Sequence, residues 1–125
     1  SLGGQPPKLR LTEPLGYLEF LQLMADAKLV LTDSGGIQEE TTVLGVPCLT
    51  LRENTERPVT VSQGTNVLVG SDPSRIRAEA EKVLRGEGKR GRVPDKWDGL
   101  AARRIVEILA RELAARVAAV AATGA

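Results

Sequence analysis

Short apolar runs alternate with longer stretches of helical periodicity along this chain. The runs are Lys8 to Thr12, Lys28 to Thr32, Pro47 to Leu51 and Thr65 to Val69. Each has the length of a strand, and the last three are rich in Val and Leu, as strands buried on both faces of a parallel sheet are. Tyr17 to Ala27 reads as a helix, with Tyr17, Phe20 and Met24 on one face and Leu18, Leu21 and Ala25 on the adjacent one. A second helix is predicted over Gly36 to Leu44 and is stopped by Gly45 with Pro47 beyond it. Asp72 and Pro73 supply the cap and first turn of a third, whose stripe Ile76, Ala80, Val83 and Leu84 ends at Gly86. A basic loop from Gly86 to Lys96 leads to a long helix, from Asp98 to about Ala122, with Ile105, Ile108, Leu109, Leu113 and Val117 on its expected buried side. Alternation of this kind predicts an α/β class: a Rossmann-like parallel sheet with flanking helices.

Composition narrows the picture. A chain of 125 residues forms at most one domain. Its 42% hydrophobic and 26% charged residues are those of a folded protein, not a disordered tail. A net charge of +1 and three aromatics, Tyr17, Phe20 and Trp97, provide neither a field for a phosphate backbone nor a base-stacking platform, so no nucleic-acid partner is expected. Without an apolar run near the roughly 20 residues of a membrane span, no membrane partner is expected either. A single cysteine, Cys48, forms no internal disulfide, reads as an inert core thiol and suggests a cytoplasmic setting. The absence of histidine excludes a His-based triad, metal site or general base within these residues. The lead from Ser1 to Pro7, without an initiator methionine, suggests a piece of a longer protein.

The candidate chemistry lies in LVLTDSGGIQEE, residues 29–40, where an apolar strand runs into Ser-Gly-Gly and then a helix. Gly35 and Gly36 allow close approach to the backbone, the free N–H groups of the helix's first turn suit an anion, and Ser34 adds a hydroxyl. Glu40, one turn further in, would repel a phosphate at contact but can accept hydrogen bonds from a diol such as a ribose. A nucleotide offers both groups. The same residues also allow a plainer account, in which Ser34 caps the helix, the glycines turn the chain and the two glutamates are solvated; for Glu39 that plainer account is preferred. The loop LRENTERP, residues 51–58, follows the next strand and borders the same crevice beyond the strand ends. Arg57 is placed there to meet an anion, or is simply a surface charge before a helix starting at Pro58, while Arg52 and Glu56 can staple the loop. Phe20 reads locally as ordinary core, Trp97 as an anchor for the last helix, and Lys89, Arg90 and Arg92 as solvated.

EPLGYLEFLQLMADAKLVLTDSGGIQEE, GVPCLTLRENTERPV and GTNVLVG together resemble the C-terminal part of the non-hydrolysing UDP-N-acetylglucosamine 2-epimerases, from about Leu11 to Leu113. The resemblance implies a two-Rossmann-domain enzyme of the GT-B type that binds UDP-sugar between its domains, and it makes residues 1–125 an incomplete C-terminal, UDP-binding domain. The implied reaction interconverts UDP-GlcNAc and UDP-ManNAc by eliminating UDP across C1 and C2 of the sugar and re-adding it, in service of cell-envelope polysaccharides. Carried onto this chain, Ser34, Gly35 and Gly36 fall at the diphosphate, Glu40 at the ribose, Leu15 and Phe20 beside the uracil, and Arg57 at another substrate contact. Relatives can carry Gln at the position of Leu15, so a contact there comes mainly from backbone. No cofactor and no metal is implied, and the full-length enzyme is expected to be a homodimer.

The departures are as informative. The family's catalytic carboxylates lie in an N-terminal domain, and the His-Arg-Arg-Glu-Asn segment that opens its C-terminal domain is absent, so no catalytic residue is assigned here. If the complete sheet has the usual order 3-2-1-4-5-6, the Lys8 to Thr12 strand is the third and does not neighbour the Lys28 to Thr32 strand. The resulting two-strand hole is closed by direct pairing, by another copy, or by the rest of a larger molecule. Two other readings stay open: the donor half of a UDP-sugar glycosyltransferase, against which the TERP loop argues, and an inactive nucleotide-binding fragment.

Overall fold

The computed structural model describes residues 8–124. Three short strands, β1 (Val30–Thr32), β2 (Cys48–Thr50) and β3 (Asn66–Leu68), pair in parallel in the order β1-β2-β3. Helix α1 (Tyr17–Ala25) precedes β1, α2 (Gly35–Leu44) connects β1 to β2, α3 (Pro58–Ser62) connects β2 to β3, and α4 (Pro73–Leu84) and α5 (Ala101–Thr123) follow. This is the α/β class expected from the alternation of runs. Each strand is part of a predicted run, the last three residues of it in β1 and the middle three in β2 and β3, because only the residues that face a neighbouring strand join the ladder.

Register and pleat assign the two faces. Leu31, Leu49 and Val67 stand in one row, and side chains alternate along each strand, so Cys48 and Thr50 occupy the opposite face from Leu49. All of β2 is buried, but the edge strand β1 exposes Leu31 by 47%. The expectation of strands buried on both faces therefore holds for the central strand alone. Helix α2 turns its polar side inward. Gln38, Thr41 and Thr42 are buried at the i, i+3 and i+4 positions, while Val43 and Leu44 are exposed. Gly45 ends α2 at φ +73, a left-handed conformation that favours glycine.

Several expectations are corrected. Lys8 to Thr12 forms no strand, and Leu9 and Leu11 lie exposed. An apolar run becomes a strand only where a sheet edge offers it hydrogen bonds, and among the described residues β1 pairs with β2 alone. The hole is thus not closed by direct pairing of that run with β1. In α1 only Met24 is buried, with Phe20 and Leu21 half-buried and Tyr17 and Leu18 exposed. The last helix begins at Ala101 and not at Asp98, because the Asp98 carboxylate folds back on the Leu100 N–H at 3.1 Å and takes the Arg104 guanidinium at 2.8 and 2.5 Å. That fork holds the Asp98 carboxyl well below the usual carboxylate range. The stripe Ile105, Ile108, Leu109, Leu113 and Val117 is exposed along its whole length, because nothing among the described residues packs on it. Leu84, at the end of the α4 stripe, is exposed as well. The cap of α4 is as expected, with Asp72 accepting from the Ser74 N–H at 3.0 Å.

The basic loop is part of the fold. Lys89 Nζ donates to the carbonyls of Val61 and Asn66, which ties the loop to the start of β3, and partial burial lowers its pKa. Arg92 donates its backbone N–H to Gln63 O at 2.8 Å, and a Cβ on Gly91 would stand 2.2 Å from the carbonyl carbon of Gly64, so only glycine allows this approach.

Cys48 is fully buried in β2, and burial pushes its thiol pKa up. A thiol that is both inaccessible and less ionised than usual reacts slowly. Iodoacetamide at pH 8 should leave Cys48 unmodified in the native protein and alkylate it rapidly in urea, as read by intact mass; comparable rates would show that β2 is not packed.

Candidate functional site

Three parallel strands end at one edge, which brings the segments after β1, β2 and β3 together. Ser34 is the N-cap residue of α2, in extended conformation, yet its hydroxyl makes no capping bond; its N–H is held by Thr32 Oγ1 at 3.0 Å. The plainer account of Ser34 as a side-chain cap is therefore not what the geometry displays. Gly35 and Gly36 begin the helix without positive φ, and a Cβ built on either meets nothing within 4 Å. The chain's own packing does not require glycine at these positions. A hydroxyl, two side-chain-free residues and the first N–H groups of a ten-residue helix form a surface suited to an anion.

Behind this turn runs a buried polar network. Gln38 Oε1 accepts from Thr55 Oγ1 at 2.6 Å and from Asn66 Nδ2 at 3.0 Å. Asn66 Nδ2 also donates to Thr60 Oγ1 at 3.1 Å, and its Oδ1 accepts from Thr50 Oγ1 at 2.6 Å. Thr60 Oγ1 donates in turn to Arg57 O at 2.7 Å, and Thr55 Oγ1 accepts the Arg57 N–H at 2.9 Å. The loop between β2 and α3 is thereby fixed to α2 and β3 at both sides of Arg57. Gln38, Thr50, Thr60 and Asn66 are all fully buried, so these bonds form in a low-dielectric setting where an unpaired group is costly.

Arg57 itself is half-exposed, with its Nε 3.0 Å from Glu39 Oε1. Glu39 is thus an ion-pair partner and not the solvated carboxylate of the plainer account. Arg52 and Glu56 staple the same loop at 3.9 Å, as expected. Arg75 Nη2 caps the Leu68 carbonyl at the end of β3, 2.8 Å away. Glu40 is half-buried and, with Glu39, Tyr17, Leu21, Val43, Leu44 and Trp97, lines a cleft of about 410 Å³. Trp97 therefore belongs to this cleft between α1 and α2. Of the expected site residues only Glu40 lines this cleft; Ser34, Gly35 and Gly36 stand at the start of α2, Arg57 in the loop before α3, and the 40% exposed Leu15 and half-buried Phe20 before and within α1.

The sequence profile described as UDP-N-acetylglucosamine 2-epimerase matches residues 1–110. The chain belongs to this family. The UDP-N-acetylglucosamine 2-epimerase of Methanocaldococcus jannaschii is 49% identical over 102 residues, which are 82% of this chain and 27% of that protein. The crystal structure of the M. jannaschii enzyme in complex with UDP-GlcNAc and UDP superposes with a TM-score of 0.69 at 49% identity, covering 80% of this chain and 27% of that one. The Neisseria meningitidis enzyme bound to UDP-GlcNAc gives 0.70 at 40% identity, covering 79% and 28%. The chain thus spans little more than a quarter of the length of these epimerases. They are of the GT-B type, in agreement with the fold expected from the sequence.

Gln38, Thr55 and Asn66 are not singled out by the sequence of this epimerase-family chain, and Glu39 reads there only as a solvated carboxylate. The available signal was the polar triplet Gln38, Thr41 and Thr42 at helical spacing, which marks a polar inner face. Asn66 is the junction of the network. Asn66→Ala would take from Gln38 Oε1 one of its two donors, leave Thr60 Oγ1 without a donor and Thr50 without its acceptor, and should cost about 3 kcal/mol. Urea unfolding should show a lower midpoint with unchanged slope; an unchanged midpoint would mean that the network contributes nothing to the fold.

Proposed function

We propose that this chain is the C-terminal, UDP-binding part of a UDP-N-acetylglucosamine 2-epimerase, and that residues 1–125 are an incomplete Rossmann-like domain of it. The observation that carries the reading is that α2 presents the Ser34–Gly36 turn at its start and Glu40 inside it, while Gln38 and Glu39 of the same helix hold the Arg57 loop. Two relatives with 49% and 40% identity are solved with UDP-sugar bound. In this proposal the Ser34 hydroxyl and the N–H groups of Gly35 and Gly36 grip the diphosphate. That grip matters to chemistry as well as binding: when the C1–O bond breaks, negative charge grows on the departing diphosphate, where preorganised donors stabilise it. Glu40 accepts from the ribose hydroxyls. Leu15 and Phe20 border the uracil, a role that rests on the resemblance alone.

The overall reaction removes the C2 proton as UDP leaves C1, giving a 2-acetamidoglucal, and returns both with the proton on the opposite face, so UDP-GlcNAc and UDP-ManNAc interconvert without a cofactor. The acid and base for C2 belong to the N-terminal domain of the full-length enzyme, which is proposed to be a cytoplasmic homodimer. The exposed stripe of α5 is surface that a longer protein or assembly would cover. Among the described residues no helix is long and apolar enough to cross a membrane.

Two measurements test this. Glu40→Gln should weaken UDP binding by about 1 to 3 kcal/mol, the usual value of a charge-assisted hydrogen bond, and leave inorganic pyrophosphate binding unchanged in calorimetry. An equal loss for both ligands would remove the ribose assignment. In deuterated water, the full-length protein should convert UDP-GlcNAc to UDP-ManNAc with deuterium at C2, whereas the 125-residue chain should give neither. Each missing proton-transfer group is worth roughly 10² to 10⁴-fold. Exchange by the chain alone, above a heat-denatured control, would place the proton chemistry in residues assigned here to binding.

A further inference from the structure

The pair between Glu39 and Arg57 joins the two motifs of the chain, and its energetics point away from a stabilising role. Both side chains are about two-fifths exposed, at 40% and 43%. Ion pairs in such settings contribute little to folding, because water screens the attraction and two long side chains lose freedom. What the pair does is geometric. The Arg57 main chain is already fixed, with its N–H on Thr55 Oγ1 at 2.9 Å and its carbonyl on Thr60 Oγ1 at 2.7 Å. Thr55 is held by Gln38, which is the residue before Glu39 on α2. The guanidinium has its Nε on Glu39 at 3.0 Å and its Nη1 on the Glu56 carbonyl at 3.3 Å. Among the described residues Nη2 makes no hydrogen bond within the chain, so the guanidinium is held at Nε and Nη1 and keeps Nη2 to donate to an anion.

We propose that Glu39 is a positioning residue that aims Arg57 at the substrate, acting through Arg57 and without contacting substrate itself. The proposal rests on the substrate contact that the family resemblance implies for Arg57. Helix α2 then carries binding groups at Gly35, Gly36 and Glu40 with Ser34 as its N-cap, and two of the three residues between Gly36 and Glu40, Gln38 and Glu39, set the place and the direction of a substrate contact that comes from the loop after β2. Positioning errors of this kind are felt in turnover much more than in stability.

The test is a double-mutant cycle in the full-length enzyme. Glu39→Gln keeps the shape of the side chain but loses its charge, and should lower kcat/KM about tenfold while UDP affinity, set by the turn and Glu40, changes less than about twofold. Glu39→Asp should recover part of the loss. Arg57→Ala should lower kcat/KM by about 10², and adding Glu39→Gln to Arg57→Ala should have no further effect. Parent-like kinetics for Glu39→Gln beside an impaired Arg57→Ala would overturn the positioning role and leave the function of Arg57 standing. Additive losses would also overturn it, since Glu39 would then act by a route other than Arg57. If Arg57→Ala itself turns over like the parent, the underlying assignment of Arg57 fails.

Discussion

One buried carboxamide sets the geometry of the C-terminal edge. Gln38 Oε1 receives a hydroxyl from the loop after β2 and an amide from the first residue of β3, so helix, loop and strand meet at a single acceptor. An apolar residue there would bury comparable area, but it would specify no direction. A pair of hydrogen bonds does, and in a region shielded from water the cost of leaving either partner unpaired excludes other loop placements. The site's two halves, an anion-binding turn and a cationic loop, owe their relation to this residue.

This arrangement accounts for an unusual interior. The buried set pairs Met24, Val46, Cys48, Leu49 and Val69 with a larger group of Thr, Gln and Asn side chains. Such a core gains less from the removal of apolar surface than one built of Leu and Ile. It gains instead in definition, since Asn66 uses both amide hydrogens and its oxygen on named partners. Of the Leu31, Leu49 and Val67 row on the other face of the sheet, only Leu49 is fully buried.

The sequence made some of this legible and hid the rest for identifiable reasons. The Val- and Leu-rich runs announced β1 to β3, and Ser-Gly-Gly ahead of a helix announced the turn, because both are local patterns. The run at Lys8 to Thr12 has the same length, yet pairing is a property of the neighbour and not of the run. Likewise the stripe on α5 records that something is to be covered without recording by what. Gln38 escaped attention because hydrophobic periodicity takes Ile37, Val43 and Leu44 for the inner side of α2, whereas Val43 and Leu44 face outward. The Glu39–Arg57 pair joins residues 18 positions apart (57 − 39), and no local pattern reports on such a contact.

The strand register bears on the order of events in folding. Val30 aligns with Cys48 and Cys48 with Asn66, a separation of 18 residues in each case (48 − 30 and 66 − 48). The two strand–helix–strand units thus close loops of equal length and equal entropic cost, and neither has precedence on that ground. β2 takes part in both closures, so it belongs to the earliest ordered structure by either route. The Gln38 network draws on α2, β2, α3, β3 and the intervening loop, and it is complete only when both closures are made. With only the first unit docked, the Ser34–Gly36 turn is present, but the Asn66 bonds to Gln38 and Thr60 that complete the hold on the Arg57 loop are not.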